Sequence, residues 1–260
     1  MADIAQTVLE TIKHLLAKHP ELAEPVEAIA TAAQGKGWGA GTIDHEVSCA
    51  AQLLGGRLAL AIDIGGNVGN YTAEVRRRSP EAEIHIFEPS SVNISKLKSR
   101  FANDGRITVN AAAVSSATGE ATLYSNSPGS TLGSLTKRRL DHFNTKFDNT
   151  ERVHTVRFEE YWSKNLQCRA IDLIKIDIEG HELEALNGFG KALDATKLIQ
   201  FEFGGCNIDT RTFFQDFWYF FMGNGFDIWR ITPYGAKSMP RYVEADEFFA
   251  TTNYFAVNRR

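Results

Sequence analysis

The chain has 260 residues, of which 43% are hydrophobic and 23% charged, with a formal net charge of −4. That length suits one large α/β domain, or one domain with an appendage, and the composition excludes fibrous and disordered classes. The negative balance offers no basic field for nucleic acid, and no run reaches the ~18–20 apolar residues of a membrane span.

Cys49, Cys168 and Cys206 form neither a CxxC pair nor a disulfide framework, so a reducing, cytoplasmic setting is expected. The basic triplets Arg76, Arg77, Arg78 and Lys137, Arg138, Arg139 read as solvated helix faces. From residue 3 to 33, Ile4, Val8, Leu9, Ile12, Leu15 and Leu16 recur at helical spacing, and Val26, Ile29 and Ala30 continue it after breaks at Pro20 and Pro25. This stretch is expected to pack on the main domain; covering a pocket or making a homodimer contact are the alternatives. Gly35, Gly37, Gly39 and Gly41 alternate through a candidate linker with Trp38 as a possible lid aromatic. A helix from about 44 to 54 follows, and residues 1–56 are assigned to an N-terminal helical extension, 57–260 to the main domain.

The chain is organised around residues 58–71. An apolar run ends in Asp63 and passes through Gly65, Gly66, Asn67 and Gly69 into a segment of helical spacing, as a buried strand feeds a nucleotide-binding turn. Glycines let the backbone turn sharply and let a ligand approach the main chain, while free N–H groups at the helix start would attract negative charge. The pattern is Asp-x-Gly-x-Asn-x-Gly rather than Gly-x-Gly-x-x-Gly. An acid before the first glycine disfavours a pyrophosphate and favours an ammonium or a sulfonium. The next strand, 83–89, ends in Glu88, placed as a carboxylate that accepts hydrogen bonds from ribose hydroxyls.

A third strand, 107–114, ends in small residues, and 120–124 reads as an inserted strand. The polar loop 125–134 is either disordered or a substrate-facing lid. His142 reads as a surface residue, and 153–158 alternates as a strand. In the second informative stretch, 171–182, a β-branched strand ends in Asp177, followed closely by Glu179, His181 and Glu182. Asp177, Glu179 and His181 are candidates for a divalent metal, or one of them for a general base, with His181 best suited near neutrality. Glu182 instead favours a helix N-terminus. A fifth strand, 198–205, carries Glu202 at the same edge. Residues 212–223 form an aromatic core helix, and two late strands, 226–232 and 252–258, imply that the last runs antiparallel.

Together the Asp63-to-Gly69 turn, the Phe87-Glu88-Pro89 strand end, the Asp172-to-Glu182 block and the terminal Asn253-Tyr254-Phe255 resemble the FkbM family of S-adenosylmethionine-dependent methyltransferases over roughly residues 57–258. The resemblance implies an α/β, class I (Rossmann-like) fold: a seven-stranded, mostly parallel sheet with an antiparallel last strand. It implies that Gly65 and the backbone near Asn67 hold the methionine portion of the cofactor, Glu88 the ribose, and Asp177 the amino end or the substrate hydroxyl. It also implies transfer to a hydroxyl, commonly of sugars or polyketide products. Asp63 and Gly69 complete the expected cofactor set; His181, with Asp177 or Glu202 as alternatives, is the expected base. Metal ligation by Asp177 and Glu179 is possible but not expected. A non-catalytic nucleotide-binding module and an NAD-dependent dehydrogenase remain the other readings.

Overall fold

The computed structural model describes residues 2–39 and 41–260; Ala40, inside the expected glycine linker, lies outside the described residues. In chain order, helices α1 (Ala2–Lys18), α2 (Ala23–Ala33) and α3 (Ile43–Leu54) precede β1 (Leu60–Ile64), α4 (Asn70–Arg78), β2 (Glu83–Phe87), α5 (Ser91–Arg100) and β3 (Ile107–Asn110). Next come β4 (Ala113–Ser115), β5 (Gly119–Ser125), β6 (Asn149–Arg157), α6 (Phe158–Asn165), β7 (Ile171–Ile176) and α7 (Glu182–Asn187). The chain closes with β8 (Thr196–Phe203), α8 (Cys206–Thr210), α9 (Phe214–Gly223), β9 (Phe226–Thr232), β10 (Gly235–Ser238) and β11 (Thr252–Asn258).

All of β1 is buried because both faces of its sheet are covered, and its alternation separates two cores. Leu60, Ile62 and Ile64 join Phe158, Phe189, Phe214, Phe217 and Phe221 on one face. Ala61 joins Val47, Ala50, Tyr71, Val75, Leu97 and Phe255 on the other. The strand order is β10-β9-β11-β8-β7-β1-β2-β3. Pairing is parallel from β8 through β7, β1 and β2 to β3, and β11 lies antiparallel between β8 and β9. This is the expected class I α/β sheet with its antiparallel last strand. The count is corrected from seven to eight, because the polar segment after Thr232 folds back and pairs β10 antiparallel with β9.

Three further expectations are corrected. The third strand stops at Asn110, and Ala113–Ser115 leaves it to form a separate three-stranded sheet, β4-β6-β5. The boundary at residue 56 falls inside a core, since Val47, Cys49 and Ala50 of α3 are buried against the sheet. The helices before it contribute nothing to either core among the described residues: Ile4, Val8, Leu9, Leu15 and Ile29 are exposed, and neither core includes a residue before Ile43. Pro25 does not break α2, because it sits in the first turn, where a missing N–H removes no helical bond. The root of this arm is fixed. The Lys36 ammonium donates to the Ala245 carbonyl at 2.5 Å and Gly37 N–H to Thr252 Oγ1 at 2.9 Å. No described helix is long and apolar enough to cross a membrane.

At the end of the sheet opposite the candidate site, Asp172 Oδ2 accepts from the N–H groups of Ala59 and Leu60 at 2.7 and 3.1 Å, while Oδ1 pairs with Lys197. It therefore sets where β1 enters beside β7. Asp172→Ala should lower stability by about 1–3 kcal/mol, the cost of leaving such groups unpaired, seen as a lower denaturant midpoint with an unchanged slope.

Candidate functional site

The site is built where the turn after β1 meets the loop after β7. Gly65, Asn67 and Gly69 all have left-handed backbones, at φ 84°, 48° and 82°. Asparagine is among the few side chains that tolerate this region. A Cβ on Gly65 would overlap the carbonyl oxygen of Asp177, so only glycine lets the two loops touch. The N–H groups of the turn itself are taken up within the chain. Gly65 and Gly66 both donate to the Phe87 carbonyl, Asn67 donates to Glu88 Oε2 at 2.8 Å, and Gly69 donates to the Gly66 carbonyl.

Glu88 is thereby tied to the turn. Its Oε1 accepts from Ser90 N–H at 2.9 Å, and burial pushes its carboxyl up to about 7 despite these donors. Across the site, Glu182 opens α7 and its Oε1 accepts from the N–H groups of Ile178 and Gly180 at 2.9 and 3.1 Å. This side chain closes the 177–181 loop on itself, more than the general helix-end effect expected from sequence; burial raises it to about 7. Within the loop Glu179 is left-handed at φ 56°. Arg138 Nη1 donates to its Oε2, and burial, followed by Asp177, holds its pKa above the ordinary range against the pull of Arg138.

The floor is a polar row running across three strands. In register, Asp63 of β1 sits beside Lys175 of β7, which sits beside Gln200 of β8. Lys175 Nζ donates to Asp177 Oδ2 at 2.9 Å and lies 5.1 Å from the centre of the Tyr71 ring. Burial opposes its charge, but Asp177 and Asp63 outweigh that and hold its pKa above the ordinary value. Asp63 accepts from Thr72 Oγ1 at 2.6 Å and lies beneath the turn; burial raises its pKa, with Lys175 acting against the rise. Tyr71 Oη donates to Gln200, which donates to Glu46 of α3.

Two cavities meet over this floor. The first, the more enclosed of the two, is lined by Gly65, Asn67, Glu88, Asp177, Glu179 and His181, and by residues from β4, β5 and the loop after β5. The second, about 720 Å³, is more open and shares Gly65, Asn67, Asp177 and Glu179; Lys175, Tyr71 and Glu202 complete its wall. The structure thus brings Gly65, Asn67, Glu88, Asp177, Glu179, His181 and Glu202 to one site. Asp63 and Gly69 support the turn from behind, with Gly69 pressed against Leu97 and Phe101. His181 Nε2 lies 3.0 Å from Ser115 Oγ, and burial lowers its pKa. Burial, followed by Asp177, Glu179 and Glu182, raises the Glu202 carboxyl well above its ordinary value. Asp177 is turned to Lys175 and Glu179 to Arg138, and among the described residues no cluster of three or more His, Cys, Asp or Glu side chains is arranged to hold a metal. His142 is exposed on a short turn, as expected.

Arg77 is exposed on α4 and Lys137 and Arg139 are exposed, but the reading of the basic triplets as solvated is corrected for Arg76 and Arg138. Arg76 donates to Asp104 and to the carbonyls of Pro80 and Ala82, fixing the end of α4. Arg138 is on a loop, not a helix, and is buried at the site. Lys175 could have been noticed as a lysine set between the apolar Leu173, Ile174 and Ile176 of β7. Arg138 and Ser115 gave no comparable signal, because their partners lie 41 and 66 residues away in sequence.

Comparison with known proteins places this geometry. The model of the Methyltransferase FkbM domain matches residues 63–229, from the acid of β1 to the last parallel strand. The chain belongs to the FkbM methyltransferase family. Similar proteins include "Methyltransferase sdnD" of Sordaria araneosa, 30% identical over 152 residues, and "Methyltransferase 1" of Beauveria bassiana, 23% identical over 141 residues. Each match covers 49% of this chain and 59% or 57% of the relative, so the chain spans less than two thirds of either. Similar solved structures include the fibrillarin pre-rRNA processing protein of Methanococcus jannaschii, at TM-score 0.48 and 10% identity, covering 84% of this chain and 76% of that one. Another is a precorrin-6y C5,15-methyltransferase of Geobacter metallireducens, at TM-score 0.43 and 10% identity, covering 82% and 87%.

Gly65→Ala in this FkbM-family chain forces a side chain into both a left-handed backbone and the Asp177 carbonyl. It should cost about 1–3 kcal/mol or more in stability, measured by chemical denaturation. A second expectation concerns pH. Glu88 and Glu182 have folded pKa values near 7, above the ordinary 4.5, so folding is favoured by their protonated forms. Their contribution is complete below about pH 4.5 and is lost as pH rises through about 7. The melting temperature of the ligand-free chain should therefore fall between about pH 5 and 8, and Glu182→Gln should flatten that dependence.

Proposed function

We propose that this FkbM-family protein is an S-adenosylmethionine-dependent O-methyltransferase acting on a hydroxyl of a small molecule of sugar or polyketide type. The observation that carries the reading is the convergence of Glu88, the Gly65–Asn67 turn and the 177–181 loop on the walls of two connected cavities. The residues present fit that cofactor. Glu88 turns a buried carboxylate with unused acceptor capacity toward the first cavity, suited to a ribose diol. The second cavity has Asp177 at its wall, a carboxylate acceptor for an ammonium group alongside its bond to Lys175.

When bound, the cofactor supplies an electrophilic methyl group on a sulfonium. The remaining work falls to side chains of this chain. His181 is the proposed base: burial keeps its ring neutral, the form that accepts a proton, and its Ser115 contact fixes the ring. Asp177 is engaged by Lys175, and the surroundings of Glu202 favour its protonated form, so both are weaker candidates. Alignment of donor and acceptor between rigid loops is expected to supply much of the acceleration.

Titration calorimetry should show binding of S-adenosylmethionine and none of NAD; the reverse result would transfer the protein to the dehydrogenase reading. Incubation with hydroxylated acceptors should add one methyl by mass spectrometry. In that assay His181→Ala should lower kcat by about 10²–10⁴-fold with little effect on cofactor affinity. Full turnover by the variant would remove His181 from the mechanism.

A further inference from the structure

The segment joining β5 to β6 forms the outer wall of the first cavity, through Gly129, Ser130, Thr131, Gly133 and Leu135. It is seated at two places. At one, Gly129 is left-handed at φ 71° and packs so closely on the start of α5 that a Cβ would overlap Val92 and Asn93. At the other, Ser134 pairs with Tyr124 through the backbone and donates through Oγ to the Glu179 carbonyl at 2.8 Å.

Beyond Ser134 the segment is tied to the site through Arg138, and Leu140 is buried behind it. Arg138 is 9% exposed; its Nη1 donates to Glu179 Oε2 and its Nε lies 3.4 Å from Asp209 Oδ2 on α8. Asp209 Oδ1 also accepts from Arg139 N–H at 3.1 Å. The guanidinium therefore joins three pieces of chain: the outer wall, the 177–181 loop and α8. The loop and α8 are themselves in contact, since a Cβ on Gly180 would press on the Cys206 carbonyl. Elsewhere the wall is rich in glycine, serine and threonine, and few of its residues are buried. Few buried residues and a small set of discrete ties, of which Arg138 is the charged one, describe an element that opens as a unit. A ligand seated in the first cavity lies directly against this wall.

We propose that residues 126–140 are a lid over the cofactor cavity and that Arg138 is its latch, a positioning residue that holds lid and Glu179 against Asp209. Releasing the latch admits the ligand and frees it; closing it fixes Glu179 in the cavity wall. The latch itself rests on contacts within the chain, and only the identity of the ligand rests on the methyltransferase reading.

Trypsin tests the latch directly, because Lys137 and Arg139 flank Arg138. In the ligand-free full-length protein, Arg138→Gln and Asp209→Ala should each raise cleavage after Lys137 and Arg139 about tenfold or more, with melting temperature and cleavage elsewhere in the domain unchanged. Both variants should release S-adenosylhomocysteine faster in stopped flow by a similar factor, with kcat changed less than the cofactor KM. Equal cleavage and equal release in wild type and both variants would overturn the proposal. If neither variant folds, hydrogen exchange of the unaltered chain decides. Amides of 126–140 should exchange faster than those of β1 and β7 by local opening, whereas exchange only on global unfolding would exclude a lid. Failure of wild type to bind S-adenosylhomocysteine would count against the proposed function, while the ligand-free cleavage would still judge the latch.

Discussion

The site depends on one buried ammonium. Lys175 lies beside Asp63 in the sheet and reaches Asp177 at the strand end, among carboxylates that also include Glu202 and Glu179. Without a cation there, ionised carboxylates crowded into a region of low dielectric would repel one another and give up their charge. With it, the acids can gather at the edge where β1 and β7 end, which is also where a charged ligand gains most from them. The same strand position keeps this network attached to the sheet: Tyr71 and Gln200 carry it to Glu46 on α3, so the helix before the first strand belongs to the site's foundation.

Two loops over that floor are held by their own main chains. Glu88 gathers the turn after β1, Glu182 gathers the loop after β7, and the absence of a side chain at Gly65 lets the two meet. Each carboxylate is buried and each accepts from main-chain N–H groups, so each has the same cost and the same use. The charge is unfavourable where it sits, yet the hydrogen bonds it accepts determine the shape of the loop around it. The third boundary of the site, the β4-β6-β5 sheet and the wall beyond it, is built separately and is fastened by side chains from distant parts of the sequence.

That division explains what could be read in the sequence. The acid-tipped strands were legible because each is a short apolar run with a local terminator, and the four acids at one edge follow from strands that point the same way. Family membership followed from motifs of the same local kind. The small sheet was not legible as a sheet, because Ala113–Ser115 looks like the continuation of β3 and only its partner β6, some forty residues later, draws it away. Nor was β10, whose polar sequence gains its strand conformation from pairing with β9. The exposed face of α1 ran against the expectation that amphipathic helices cover their own core. Hydrophobic periodicity reports which face is apolar, not whether anything lies against it. Lys175 and Arg138 were missed for different reasons. The first was visible as a charge within an apolar strand and was passed over, whereas the second becomes meaningful only when a loop brings it to Glu179 and Asp209.

The hydrogen bonds to Glu88 carry a further consequence. Its two oxygens are already held by Asn67 N–H and Ser90 N–H in the chain without ligand. A carboxylate in this state has no rotamer freedom left to surrender to a ligand, so little side-chain entropy would be lost on association at that end of the cavity. The ordering cost has been moved into folding, where burial raises the acid's pKa and these hydrogen bonds act against the rise. Affinity at this position is thus a property of the fold's rigidity, and loosening the turn would weaken it without touching any atom that meets the ligand.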